Sequence, residues 1–148
     1  MGVQSLDHVG VIVNDLEAAV AFFVDLGLER AGAGTVEGEW VDRVVGLEGV
    51  RAELVFVRTP DRSDSIELVK FHSPSAHGGA PPPAANRPGI RHLAFTVDDL
   101  ETVLDRLRSR GLEMVGEVQD YEDIFRLCYV RGPENIIVEL AQRIGQAT

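Results

Sequence analysis

The chain has 148 residues with 45% hydrophobic content, enough for one core or for two small modules that share one. Its 24 acidic and 14 basic residues leave a net charge of −10, which argues against a nucleic-acid partner. No apolar run approaches the ~20 residues of a membrane span, the N-terminus lacks the basic and apolar regions of a signal peptide, and a single cysteine, Cys128, excludes an internal disulfide and suits a reducing cytoplasm.

Residues 7–13 alternate as a strand, with Val9, Val11 and Val13 on one face and His8, Gly10 and Ile12 on the other. Asn14 is placed to cap a helix, with Glu17 at capping-box spacing. Leu16, Ala19, Val20 and Phe23 recur at helical period, and Gly27 supplies the left-handed stop. Residues 28–36 read as a second strand, and 37–49 as a loop with a short helical turn near Trp40–Val45. Strands are expected at 50–58 and 65–71, joined by a turn that begins at Thr59-Pro60-Asp61. Residues 72–90, with Pro74, Pro81-Pro82-Pro83 and Pro88, read as a linker that leaves His72 and His77 in solvent.

After the linker the chain repeats itself. An offset of 84 carries His8 onto His92, Asp15-Leu16-Glu17 onto Asp99-Leu100-Glu101, and Gly27-Leu28-Glu29 onto Gly111-Leu112-Glu113. Residues 91–97 are the repeated strand, with Leu93, Phe95 and Val97 on the apolar face and His92, Ala94 and Thr96 on the other. Asp98 and Glu101 form the expected capping box of a helix that buries Leu100, Val103, Leu104 and Leu107 and stops at Gly111. Strands follow at about 112–119 and 125–131, then a turn at Gly132-Pro133-Glu134-Asn135, a last strand at 136–141 and a frayed tail after Arg143. The architecture expected is α+β, with two tandem βαβββ modules (1–71 and 91–148) forming a curved mixed sheet around a metal cleft.

Four residues carry chemistry. His8 opens the first strand of copy one and Glu67 sits in its last; His92 and Glu139 hold the matching places in copy two. A lone strand histidine is by default an ordinary hydrogen-bonded residue. A carboxylate amid Ile66, Leu68 and Val69, or amid Ile136, Ile137, Val138 and Leu140, must point to water, a cation or a metal. Two matched pairs favour a shared site: a pseudo-twofold axis between the modules would gather two imidazoles and two carboxylates, a set suited to a divalent ion.

The openings DHVGVIVNDLE and RHLAFTVDDLE and the ending IIVEL resemble the vicinal oxygen chelate superfamily, the group of glyoxalase I, methylmalonyl-CoA epimerase, extradiol dioxygenases and the fosfomycin and bleomycin resistance proteins. The resemblance spans essentially the whole chain. It implies paired βαβββ modules and a metal at His8, Glu67, His92 and Glu139, with Mn, Co, Ni, Zn, Mg or Fe as the ion. A full set with Glu67 is similar to the isomerase, epimerase and lyase branch, which acts on vicinal-oxygen or thioester substrates through an enediolate. Glu139 and Glu48 are then the candidates for moving the proton, Glu48 because GLEGV is similar to a motif of the epimerases. The alternatives are an Fe(II) extradiol dioxygenase using His8, His92 and Glu139, and a metal-free small-molecule binding or resistance protein. Trp40, Asp42, Arg43, Tyr121, Asp123, Phe125, Arg126 and Arg131 are secondary candidates for pocket or substrate contacts, with surface roles the default for the Trp40–Arg43 turn and for both later arginines. The expected partner is a small molecule and the expected state a cytoplasmic homodimer.

Overall fold

The repeat in the sequence is a repeat in the hydrogen bonds. A computed structural model describes residues 1–76 and 82–146; His77, Pro81 and the last two residues lie outside the described part. The chain divides into two compact units, Met1–Gly79 and Ala80–Thr148. Each unit opens with a strand, β1 (Val9–Ile12) or β5 (His92–Val97), and runs into a helix, α1 (Leu16–Leu26) or α3 (Leu100–Arg108).

The helices start and stop alike. Asp15 Oδ1 accepts from the Ala18 N–H at 3.0 Å, and Asp99 Oδ1 from the Thr102 N–H at 3.1 Å. These are the N-caps, one residue later than the Asn14 and Asp98 expected. The buried stripes begin at Leu16 and Leu100, so the extended cap residue must stand immediately before each. The Thr102 hydroxyl and N–H hold the Asp99 carboxyl below its usual range. At the other end, the Leu28 N–H reaches Phe23 O at 2.9 Å over Gly27, and the Leu112 N–H reaches Leu107 O at 3.1 Å over Gly111. Both glycines have positive φ, 122° and 87°, as this closure requires. Regular α3 ends at Arg108, before Gly111.

Each helix buries its apolar stripe on one face of a four-stranded sheet. Phe23 and Leu104 are fully buried, and truncating Phe23 to Ala would cost about 3–5 kcal/mol. In the first unit β2 (Glu29–Glu37), β3 (Arg51–Arg58) and β4 (Ser65–Ser73) complete the order β1-β4-β3-β2. In the second, β6 (Gln119–Tyr121), β7 (Phe125–Arg131) and β8 (Ile137–Arg143) give β5-β8-β7-β6. The first and last strands of each unit pair in parallel, and the other pairs are antiparallel, so both sheets are mixed.

The first unit carries an extra helix, α2 (Glu39–Val45), where a short helical turn was expected. Its Val41 packs with Val50, Ala52 and Val69, while Asp42 accepts from the N–H groups of Gly49 and Val50 at 3.0 and 2.8 Å. The turn from β3 to β4 is held by Asp61, which accepts from the Thr59 hydroxyl and from the Ser63 N–H and hydroxyl. Those bonds hold the Asp61 carboxyl down to about 2. Its contribution is therefore in place above the ordinary carboxylate range and is lost only as pH falls toward that value.

Several boundaries differ from the sequence expectation. β4 runs on to Ser73, because Ser73 still pairs with Arg51. The strand expected at 112–119 is broken: Met114 bridges to Val130 and the Val115 N–H bonds Tyr129 O, then the chain bends at Gly116 and pairs again only at Gln119–Tyr121. The tail is tied back rather than frayed at once, since the N–H groups of Ile144 and Gly145 both reach Ile124 O. A Cβ at Gly145 would run into the Asp123 carbonyl.

The capping assignment is checked by urea unfolding. Asp15→Ala should cost about 1 kcal/mol, and Asp98→Ala less than about 0.5 kcal/mol. A larger loss at Asp98 than at Asp15 would contradict it.

Candidate metal centre

The two faces of each sheet are chemically distinct. On the helix side of the first unit lie Val11, Val55, Val57, Ile66 and Leu68, all buried. The opposite face carries Gly10, Phe56 and Glu67, which stand side by side in register across β1, β3 and β4. His8 immediately precedes β1 on that face. Its ring meets Phe56 edge-on, with centroids 5.5 Å apart. Nδ1 lies 2.6 Å from Asp7 Oδ2, and Nε2 lies 3.8 Å from Glu67 Oε2. The His8 and Glu67 side chains are 34% and 24% exposed, reachable yet partly dried.

The second unit repeats this plan at the same register. Ala94 faces Glu139 where Gly10 faces Glu67, and Tyr129 faces Glu139 where Phe56 faces Glu67. His92 lies against Tyr129 with ring centroids 5.1 Å apart. The helix side again holds the apolar residues, Cys128, Val130, Val138 and Leu140. Each unit thus sets out one histidine, one aromatic ring and one carboxylate. Among the described residues, no three His, Cys, Asp or Glu side chains are already gathered at metal-binding distance.

Phe56 and Tyr129 are site neighbours that a reading of the sequence misses. The signal was available in principle: each sits at the strand position that faces the glutamate once the antiparallel register is known. Chain order alone does not give that register.

The other residues singled out are placed as follows. Glu48 is exposed in the turn before β3. Trp40 is exposed on α2, Asp42 clamps the turn at Gly49–Val50, and Arg43 pairs with Glu39 on the surface. Tyr121 is exposed at the end of β6, Asp123 lies in a left-handed turn, and Arg143 covers the Phe125 ring. Arg126 grips Asp120 through two bonds of 2.8 and 3.1 Å, which holds the Asp120 carboxyl below its usual range. Arg131 donates to the carbonyls of Pro83 and Asn135. His72, expected in solvent, lies in β4 with Nε2 2.6 Å from Glu53 Oε1. An open hollow of about 650 Å³ borders α2, lined by Glu37, Glu39, Asp42 and Ser73 among others. Ser73 lies six residues along β4 from Glu67, roughly 20 Å. The hollow is therefore separate from the His8–Glu67 pair, and among the described residues no histidine lines it.

Three comparisons with known proteins bear on this geometry. Residues 7–129 match the family model described as the Glyoxalase/Bleomycin resistance protein/Dioxygenase superfamily. The crystal structure of a glyoxalase family protein from Bacillus cereus is 38% identical, covers 98% of this chain and 97% of its own, and superposes with a TM-score of 0.93. More distant chains share the fold. A point mutant of the fosfomycin resistance protein FosX from Listeria monocytogenes, complexed with Mn(II) and 1S,2S-dihydroxypropylphosphonic acid, has a TM-score of 0.62 at 18% identity, with 98% and 93% coverage. TnmS3, an antibiotic-binding protein from Streptomyces sp. CB03234, has a TM-score of 0.62 at 19% identity, with 97% and 98% coverage.

Cys128 stands outside this chemistry. It is buried on the helix side, and burial pushes its thiol up to about 11. A thiol reagent should therefore leave native protein unmodified from pH 7 to about 9, and react fully once the chain is unfolded in urea. Rapid labelling of the native protein would contradict that placement.

Proposed function

The chain belongs to the glyoxalase/bleomycin resistance protein/dioxygenase superfamily, and from that premise we propose that it is a divalent-metal-dependent isomerase, epimerase or lyase whose ion is held by His8, Glu67, His92 and Glu139. The observation that carries this reading is the placement of His8. Nδ1 lies against the Asp7 carboxylate, a contact that favours the tautomer with its proton on Nδ1, and Nε2 is turned toward Glu67. Donors about 2.1 Å from one ion are separated by about 3.0 Å when adjacent and about 4.2 Å when opposite. The 3.8 Å between Nε2 and Oε2 falls within that span.

His92 and Glu139 occupy the equivalent places in the second unit, and two imidazoles with two carboxylates suit Mn, Co, Ni, Zn, Mg or Fe. When bound, such an ion supplies Lewis-acid polarisation of the substrate's vicinal oxygens or thioester carbonyl, which acidifies the neighbouring C–H. The chain's own groups do the rest. Asp7 fixes the His8 tautomer, and Phe56 and Tyr129 fix the planes of the two imidazoles. Glu139 is half-buried beside Tyr129 and is the first candidate for moving the proton; Glu48 on its exposed turn is the second. The substrate class is a small molecule that forms an enediolate or thioester enolate. The functional state is a homodimer.

Metal content by mass spectrometry tests the reading. After reconstitution the wild type should hold about one ion per chain, and His8→Ala/Glu139→Ala should hold none while its circular dichroism is unchanged. Asp7→Asn should keep the fold and weaken metal affinity about 10- to 100-fold. A wild type that takes up none of the six metals would overturn the reading, in favour of metal-free small-molecule binding.

A further inference from the structure

The face that carries His8 and Glu67 also carries Arg58. Arg58 ends β3 and is only half-buried, yet its Nε is fully buried and has no hydrogen-bond partner among the described residues. The alternation of β3 fixes its direction. Val55 and Val57 are buried on the helix side, so Phe56 and Arg58 project from the other face. Phe56 stands opposite Glu67 and Arg58 opposite Ser65, which makes Arg58 and Glu67 diagonal neighbours about 7–8 Å apart. Glu67 does not neutralise it, since that carboxylate leans toward His8.

The second unit shows what a guanidinium at this position needs. Arg131 follows Tyr129 by two residues, as Arg58 follows Phe56. Its NH1 group is satisfied by the carbonyls of Pro83 and Asn135 at 2.9 and 3.0 Å. Among the described residues none accepts from Arg58 Nε, and Arg91 Nε at the head of the second unit is in the same state. A buried donor without an acceptor is costly, and a planar guanidinium fork matches the two oxygens of a carboxylate or phosphoryl group. On a chain of net charge −10, an anion needs a dedicated cation to be held.

We infer that Arg58 is the anion-binding and specificity-determining residue of the site: it takes a carboxylate or phosphoryl oxyanion of the substrate on the face of His8 and Glu67, with the Ser65 hydroxyl across the ladder as a second donor. The substrate is thereby an anion that carries the reacting oxygens and a separate acidic group. This assignment rests on the reading of that face as the substrate site.

The test titrates inorganic phosphate into the full chain by calorimetry, with and without Mn(II). Arg58→Met should weaken phosphate binding about tenfold or more, and Arg58→Lys, which keeps the charge and loses the fork, about threefold or more. Metal content should not change in either. Arg30→Met, which removes an equal charge from the exposed β2 edge, should bind as the wild type does. Equal phosphate affinity in folded Arg58→Met or Arg58→Lys and wild type, or no phosphate binding by the wild type, would overturn the inference and leave the metal reading intact. Arginine-dependent phosphate binding in a chain that takes up no metal would uphold it while the metal reading falls.

Discussion

A parallel ladder between β1 and β4, and a second between β5 and β8, governs where every ligand-type side chain can point. Side chains alternate along a strand, so a register slip of one residue would turn each glutamate into the apolar layer under its helix. The pairing of Gly10 with Glu67 and of Ala94 with Glu139 holds both carboxylates on the open face. The helices lock that choice from beneath: Leu16, Ala19, Val20 and Phe23, or Leu100, Val103, Leu104 and Leu107, fit only the face opposite the glutamates. Fold and chemistry thus come from one constraint, since the burial that stabilises each unit also decides which face is left for a ligand.

The two units keep this constraint and differ elsewhere. The offset of 84 between the copies falls to 72 by Glu67 and Glu139, because the described residues of the second unit hold no counterpart of α2 and its edge strand is broken at Gly116. Phe56 becomes Tyr129, which adds a hydroxyl beside one imidazole only. Arg58 becomes Arg131, whose NH1 group donates to two carbonyls, whereas Arg58 Nε has no acceptor among the described residues.

Much of this was legible in the sequence, because the repeat reports architecture directly and period-2 and period-3.6 patterns report faces. His92 heads β5 as its pattern puts it, while β1 begins one residue after His8; the buried helical stripes and the glycine stops stand where the patterns put them. What the sequence hid was local competition and non-local pairing. Asn14 and Asp15, or Asp98 and Asp99, are equivalent as cap formers, and only the phase of the buried stripe decides between them. Residues 112–119 hold enough β-formers to read as one strand, yet Gly116 bends the chain away from β7. Phe56, Tyr129 and Arg58 acquire meaning only from antiparallel register, which is set by turn geometry at Thr59–Asp64 and Gly132–Ile136 and not by composition. His72 reads as linker until its pairing with Glu53 is seen.

Binding of one divalent ion by His8, Glu67, His92 and Glu139 together is what the proposed chemistry stands on. Anomalous diffraction at the manganese edge, from crystals of the protein loaded with Mn(II), probes it without reference to any substrate. One strong peak is expected within about 2.0–2.3 Å of both histidine Nε2 atoms and of an oxygen of each glutamate. A peak on other residues, or a peak held by one histidine–glutamate pair while the other pair faces solvent, would contradict it.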